Sequence, residues 1–422
     1  MTMLITTFTL KVRACGGEAY VAGGCVRDTF LRRPCHDHDI MVTGLDVGKF
    51  EELFPEAIKT GKGFPVYRLD LIIDGVEERQ VEVALARKER KAGTGHNGFE
   101  VFFDKSVTLE EDLIRRDTTM NAMVVRLWDD KLIDLFGGQK DIRKKVIRAV
   151  SGHFTDDPIR ALRAARQAAQ FGFTIEAGTR SMMHGMLGEI QAEPKERIVG
   201  EFVKALGANR PSVFFRELRA AGLLGVFPHV AALVGKTQPL EWHTEGDAFE
   251  HTMMVLDEVA THTDDLLARF CALAHDFGKG QTADDMLPKH IGHDKRGGSI
   301  CREELWKEIP SRWRKVAAVV CEEHMRVKSV RKPAKIVEMA ECLKKTNVPF
   351  NVFKAVCDAD SANLRRMGKV GEAPWWFTEE VFSRIVSTKA KVDPSMDVAT
   401  IKSVIRNARV AAFKEMERTH LG

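Results

Sequence analysis

The chain has 422 residues, 29% of them charged, with 64 Lys and Arg against 60 Asp and Glu. That length is too great for one ordinary hydrophobic core and implies two to four domains. A net charge of +4 neither demands nor excludes an RNA partner, and it confines any RNA surface to a local patch. The eight cysteines (15, 25, 35, 271, 301, 321, 342 and 357) are scattered without a CxxC pair. That pattern points to reduced thiols in a cytoplasmic protein rather than to disulfides or a zinc ribbon. No apolar run approaches the roughly 20 residues of a membrane span, so no membrane partner is expected. Low-complexity segments and long repeats are absent.

The N-terminal "MLITTFTLKV" is too short and Thr-rich for a secretory leader and reads as a β-strand. Next, "AYVAGGCVRDTFLRRPCHDHDIMVTG" predicts a strand, a tight turn, a short helix and a second strand beginning near His36. Side chains at i and i+2 of a strand share a face, so Asp37 and Asp39 converge. Two convergent carboxylates form a hard oxygen site suited to Mg²⁺, which takes one or two protein carboxylates plus substrate phosphates. Gly23 and Gly24 let the backbone approach a phosphate closely, and Arg27 can neutralise it.

The GGxVRD turn and the following DxD resemble the catalytic core of the class II tRNA nucleotidyltransferases, the CCA-adding enzymes, and of their poly(A) polymerase relatives. One departure is visible: the family usually has Leu-Gly before the loop to the DxD, whereas here Leu31 is followed by Arg32. That substitution alters a turn and removes no functional group.

Alternating runs up to about residue 150, such as "VYRLDLIIDG", "RQVEVALAR" and "NAMVVRLWDDKLIDLFGG", read as strands with helices between them. Glu82 lies in the second of these, on a face shared with Gln80 and Ala84. The resemblance places a third active-site carboxylate on such a strand, to help hold the metal or to accept the proton of an attacking 3′ hydroxyl. An exposed strand glutamate is the alternative. The basic, Gly-rich stretch "ARKERKAGTGHNGFE" is expected to be a mobile loop, or simply a solvated charged turn. In "EDLIRRDTTMNAM", Arg115, Arg116, Asp117 and Asn121 match the family motif RRDxxxNA. By that resemblance Arg116 meets the triphosphate, and Asp117 accepts from a ribose 2′-OH.

From about residue 155 the pattern turns helical. In "DDPIRALRAAR" (156–166), Asp157 and Arg160 stand one helical turn apart, so a carboxylate acceptor and a guanidinium donor can be presented together. Cytosine and adenine both offer an exocyclic amino donor beside a ring-nitrogen acceptor; guanine and uracil present the reverse and leave the site unpaired. The motif resembles the family's amino-acid template, with Arg163 and Arg166 near the nucleotide. Asp157 before Pro158 is also a sound helix start with solvated arginines.

Farther on come His251, the pair His275-Asp276, then His290 and His293, His324, and the aspartates Asp358 and Asp360. The order H…HD…D on successive helices resembles the HD phosphohydrolase superfamily. The resemblance assigns His251, His275, Asp276 and Asp360 as ligands, Asp360 being preferred to Asp358 because Ala-Asp precedes an Arg-rich turn. His293 and His324 are additional candidates. Imidazole and carboxylate together suit Ni²⁺, Mn²⁺, Fe²⁺, Zn²⁺ or Mg²⁺, and Ni²⁺ with 2′,3′-cyclic phosphates is what the resemblance implies.

The motif register runs from about residue 20 to 366 and is similar to that of the bacterial CCA-adding enzymes with a C-terminal HD domain, "EWHTEGDAFEHT" marking the entry to it. The expected fold is α+β: a nucleotidyltransferase head over 1–150 with Gly24 and Arg27 at its phosphate turn, a helical nucleotide-recognition and RNA-binding region over 151–245, an HD domain over 246–366 and a helical tail over 367–422. The implied partners are tRNA, CTP and ATP, with the chain a monomer or homodimer in the cytoplasm. The competing readings are a poly(A) polymerase, or mainly an HD phosphodiesterase or RNA-binding protein with a relic head. Intact Asp37, Asp39, Asp117, Asp157 and Arg160 argue against a relic.

Overall fold

A computed structural model describes residues 3–421 apart from 36–37, 61–64, 74, 92–98, 103 and 394. The chain falls into two compact units. One runs to Glu201 and includes Arg216–Val226; the other holds Phe202–Phe215 and everything from Phe227 onward. The stretch 151–245, read from sequence as one region, is thus shared between them.

The first unit is built on a mixed eight-stranded sheet in the order Met3–Leu4, Val66–Ile73, Val76–Leu85, Asp39–Thr43, Glu18–Ala22, Val124–Arg126 and Lys131–Ile133, with Ile58–Thr60 also pairing to Val66–Ile73. Asp39–Thr43 runs parallel to Val76–Leu85 and antiparallel to Glu18–Ala22. Strand character follows from period-two burial: Tyr67, Leu69, Leu71 and Ile73 are all buried at alternate positions. With Val81, Val83 and Leu85 they pack against Phe8 and Val12 of one helix, Phe50 of the Val47–Leu53 helix and Phe54 just after it.

Two expectations for this unit are corrected. The segment expected as an N-terminal strand is a two-residue strand followed by a helix, Ile5–Ala14. Phe8, Thr9 and Val12 are its buried face, and that three-to-four spacing overrides the β-branched composition. The basic stretch expected as a loop instead pairs Lys88–Lys91 antiparallel with Phe99–Phe102; its tip, 92–98, lies outside the described residues.

The second unit is helical. Ala248–His262, Leu266–Ala274, Ser311–Ser329 and Phe350–Arg366 carry its chemistry, and Glu379–Ser387 and Val398–Leu421 follow. Asp247 starts the first of these helices by accepting from the Glu250 backbone N–H at 3.1 Å, which sets His251 in its first turn. No described helix is long and apolar enough to cross a membrane.

Candidate functional sites

The turn from Ala22 to Arg27 opens the first site. Gly23 has φ 72°, in the left-handed region that glycine enters freely, and the Gly24–Phe30 helix starts directly after it. Arg27 donates to Asn121 Oδ1 at 2.8 Å and lies over the Phe171 ring at 4.8 Å. The strand Asp39–Thr43 brings Asp39 level with Glu82 on its parallel neighbour, where the two are registered partners. Glu82 also pairs with Arg68 at 3.0 Å. Asp37, the other expected carboxylate, lies outside the described residues, and the strand begins at Asp39 rather than near His36.

Asp39, Glu82, Arg27 and Gly24 line one cavity of 510 Å³ together with Arg116, Asp117, Asn121, Asp157, Arg160, Arg163 and Arg166. Every described member of the expected set is therefore gathered there. Asp117 is buried at 5% exposure. Its Oδ1 accepts from the Thr118 backbone and from Asn121, its Oδ2 from Arg163 at 3.2 Å. Burial opposes its ionisation, but Arg163 and these hydrogen bonds hold the carboxyl below the usual range. An ionised carboxylate has about four lone-pair sites, so Oδ2 can take one further hydroxyl.

Asp157 stands two residues before the Ile159–Phe171 helix, accepting from the Ile159 N–H at 3.1 Å, and is also gripped by Arg197. Arg160 donates to the His153 carbonyl at 2.6 Å. The expected pair thus lines the same cavity, with each member oriented by a different group. Sequence reasoning missed those supports. Arg197 holds Asp157, Glu201 sits 2.5 Å from Arg166, and Asp112, 1% exposed, sits between Arg115 and Arg116. Arg197 and Glu201 are four residues apart on the Lys195–Leu206 helix, a spacing that places both on one face and was the available signal.

Two local features bear on this site. Arg32, at the position where the family has glycine, adopts φ 54°, a left-handed conformation that costs a side chain about 1–2 kcal/mol. Cys25 and Cys35 form a disulfide, which corrects the expectation of reduced thiols throughout. The helix and the returning chain bring their Cα atoms within 5.1 Å, a proximity that the sequence spacing did not announce. The other six cysteines are free.

The second site lies among the helices of the second unit. His251 Nε2 is 3.1 Å from Asp360 Oδ1, and His275 Nε2 is 3.2 Å from Asp276 Oδ2. Asp276 Oδ1 faces His293 at 3.4 Å and His324 at 3.8 Å. Donor atoms of His251, His275 and Asp360 lie within 4.8 Å of one another, as do those of Asp276, His293 and His324. All six expected ligands are thus clustered, in two sets that Asp276 adjoins. Asp358 is not among them; it pairs with Lys354 and Arg365. His290 also stays outside, bonded to Thr282 and to the Thr237 carbonyl.

The imidazoles are preset. Nδ1–H donates to Ala272 O from His275, to His290 O from His293 and to Cys321 O from His324; in His251 it donates to Glu245 Oε1 at 2.6 Å. This turns Nε2 of His275, His293 and His324 toward the cluster as donor atoms for a metal, while Nε2 of His251 lies 3.1 Å from Asp360 Oδ1. The Nε2 atoms of His275 and His293 and Oδ1 of Asp276 are buried and make no hydrogen bond among the described residues. Such orphans are costly unless a cation satisfies them, so this donor set fits a divalent metal. Burial and His275 push His324 down to about 4, which keeps it neutral at pH 7. Against burial, His275 and Lys279 hold Asp276 well below the usual carboxylate range, and Lys328 and His251 do so for Asp360.

Three family models match the chain: the poly A polymerase head domain over 19–148, the probable RNA and SrmB-binding site of polymerase A over 172–233, and the HD domain over 248–357. A Multifunctional CCA protein from Vibrio campbellii is 38% identical over 95% of this chain and 97% of its own length. One from Ralstonia nicotianae is 35% identical over 95% of each. Among solved structures, a CCA-adding enzyme in apo form II has a TM-score of 0.63 at 18% identity, covering 98% of this chain and 94% of its own. The Bacillus stearothermophilus CCA-adding enzyme in complex with CTP has 0.61 at 21%, covering 98% and 97%. The structural likenesses show the same fold.

Proposed function

The chain belongs to the family of multifunctional CCA proteins, and on that premise we propose that its head adds C, C and A to the 3′ end of tRNA, drawing on CTP and ATP. The observation that carries this reading is the gathering of Asp39, Glu82, the RRD arginines and the Asp157–Arg160 pair around one cavity. Asp39 and, by the family resemblance, Asp37 would hold Mg²⁺, with Glu82 level with Asp39; hard carboxylate oxygens next to a cationic phosphate pocket fit that ion. Bound there, Mg²⁺ supplies charge that offsets the triphosphate and lowers the cost of ionising the attacking 3′ hydroxyl.

The side chains divide the remaining work. Arg116 and Arg27 neutralise phosphate oxygens, and the Gly23-Gly24 turn admits them close to the backbone. Asp117 accepts from the ribose 2′-OH through its remaining lone pair, with Asn121 fixing its angle. Asp157 accepts the exocyclic amine of cytosine or adenine while Arg160 donates to the adjacent ring nitrogen. Arg163 and Arg166 frame the nucleotide. No nucleic-acid template enters this scheme.

For the second site we infer a metal-dependent phosphohydrolase acting on phosphoesters of the 2′,3′-cyclic type, with His251, His275, Asp276 and Asp360 as ligands and His293 and His324 completing the set. A transition metal, Ni²⁺ by family resemblance, supplies Lewis acidity toward the phosphoryl oxygen and the attacking water. Lys279, 2.6 Å from Asp276 Oδ2, offsets the negative charge of the carboxylates.

The head reading is tested by supplying tRNA trimmed of its 3′ end with each NTP separately and together, then sequencing the added tail. Tails of C, C and A that then stop are expected. Long A tails would assign a poly(A) polymerase instead.

A further inference from the structure

Cys25 and Cys35 flank the segment between the phosphate turn and Asp39, and the nucleotidyl-transfer reading uses neither. Cys25 is buried in the Gly24–Phe30 helix behind that turn, and half-buried Cys35 stands four positions before Asp39. They are joined as a disulfide, with their Cα atoms 5.1 Å apart. A third group shares the spot: donor atoms of Cys25, Cys35 and His38 all lie within 4.8 Å of one another. His38 directly precedes Asp39, and its Nδ1 is 2.6 Å from Glu78 Oε1 on the neighbouring strand Val76–Leu85. An Nδ1–H donating to that carboxylate leaves the ring's lone pair on Nε2 and fixes its orientation, as carboxylates do behind metal-ligating histidines.

A bridge alone accounts for two sulfurs and leaves the imidazole beside them unexplained. Once reduced, two thiolates on one tetrahedral Zn²⁺ are about 3.8 Å apart, from Zn–S bonds of about 2.3 Å, a spacing inside the 4.8 Å span of this cluster. Cys35 and His38 are also separated by two residues, a short interval by which one loop can hand two ligands to one ion. Thiolate and imidazole select Zn²⁺ over Mg²⁺, whereas carboxylate oxygens select the reverse.

We propose that the reduced chain binds one thiophilic divalent cation, Zn²⁺, through Cys25, Cys35 and His38, with water in the fourth position, and that forming the disulfide expels it. Both thiols lose their protons as the ion binds. Oxidised glutathione reverses this by exchange: its S–S bond becomes two thiols while the two cysteine sulfurs join, and the ion departs. The bound ion would tie the helix behind the phosphate turn to the residue preceding Asp39, so His38 and Asp39 serve cations of opposite type.

The test uses Co²⁺ in place of Zn²⁺, because a thiolate bound to Co²⁺ gives a charge-transfer band in the near ultraviolet. The HD cluster offers only imidazoles and carboxylates, so Co²⁺ bound there adds nothing to that band. Full-length protein reduced with a phosphine, which takes oxygen from water as the disulfide becomes two thiols, is freed of the reagent and titrated. The band is expected in this protein, is bleached by Zn²⁺, and is missing from protein held oxidised with glutathione disulfide. Cys25→Ser and Cys35→Ser should each weaken this binding at least about a hundredfold, and His38→Gln at least about tenfold. Cys301→Ser, which removes one of a separate buried sulfur pair 3.8 Å apart, should leave the band unchanged. Circular dichroism checks each fold, and the half-buried Cys35 decides the matter if Cys25→Ser does not fold. Absence of the band in reduced wild type overturns the site, as does its persistence in oxidised protein or at full strength in Cys35→Ser. Undiminished affinity in His38→Gln overturns the three-ligand assignment.

Discussion

Arg197 grips Asp157 from 40 positions away in sequence, one guanidinium nitrogen lying 3.0 Å from Oδ1 and 2.8 Å from Oδ2. The carboxylate proposed to read the base is therefore aimed by a residue outside its own helix. Burial disfavours the charge on Arg197, but Asp157 and Glu193 raise its pKa overall, so it remains a fixed cation. Charge-assisted pairs of this kind hold geometry as well as supply energy.

Arg197→Met should consequently blur base choice. The kcat/KM ratio of CTP over UTP is expected to fall at least about tenfold, with a smaller loss in the CTP rate itself, and Arg197→Lys should recover part of the selectivity. Steady-state kinetics with the four NTPs on trimmed tRNA decide it. Undiminished discrimination in Arg197→Met, and likewise in Arg160→Ala, would return Asp157 to a helix-start role.

The motif residues were legible because their chemistry is local: GGxVRD, RRDxxxNA and the HD pair declare themselves within a few positions. Their supports were not, because Arg197, Glu201, Asp112 and Glu245 make sense only once distant helices meet them. The N-terminal helix was misread for a different reason. Its Thr-rich composition favours a strand, while the burial of Phe8 and Val12 that decides the matter is a tertiary fact. The Cys25–Cys35 bridge was likewise set by how the chain returns after the phosphate turn.

Arg32 offers a stability test. Its side chain is exposed and its φ of 54° suits glycine. Arg32→Gly relieves the left-handed strain at some cost in unfolded-chain entropy, leaving a net stabilisation of up to about 1 kcal/mol. Denaturant unfolding measures this. A clear loss of stability would mean that the arginine itself makes a contact worth more than the strain.

Glu245 positions His251 rather than binding substrate. Its Oε1 lies 2.6 Å from Nδ1 of that imidazole, which fixes the tautomer that turns Nε2 to the cluster. Glu245→Ala should weaken metal affinity about 10–100-fold, read by competition with a chromophoric chelator, while the melting temperature of the metal-free protein changes little. Equal affinities would show that His251 is aimed by packing alone.

His290, which is not among the proposed metal ligands, gives a pH signature of its own. Burial and nearby Lys279 push it down to about 4, from an unfolded value near 6.5. Between those values the unfolded chain binds the proton and the folded one does not, so stability falls as pH drops from about 6.5 toward 4. The single residue accounts for on the order of 1–2 kcal/mol at pH 5. His290→Gln should flatten that part of the stability curve in urea titrations at pH 5 and pH 7. An unaltered slope would mean that His290 titrates normally.

The central claim is that one chain carries two chemically independent sites, since Asp39 and Asp276 belong to separate compact units. The direct measurement is to assay both activities on the same preparations of wild type, Asp39→Ala and Asp276→Ala. Asp39→Ala is expected to lose at least about a thousandfold in C and A addition to trimmed tRNA and to keep cyclic-phosphate hydrolysis with Ni²⁺, whereas Asp276→Ala does the reverse. Parallel loss of both activities in either folded variant would contradict the account.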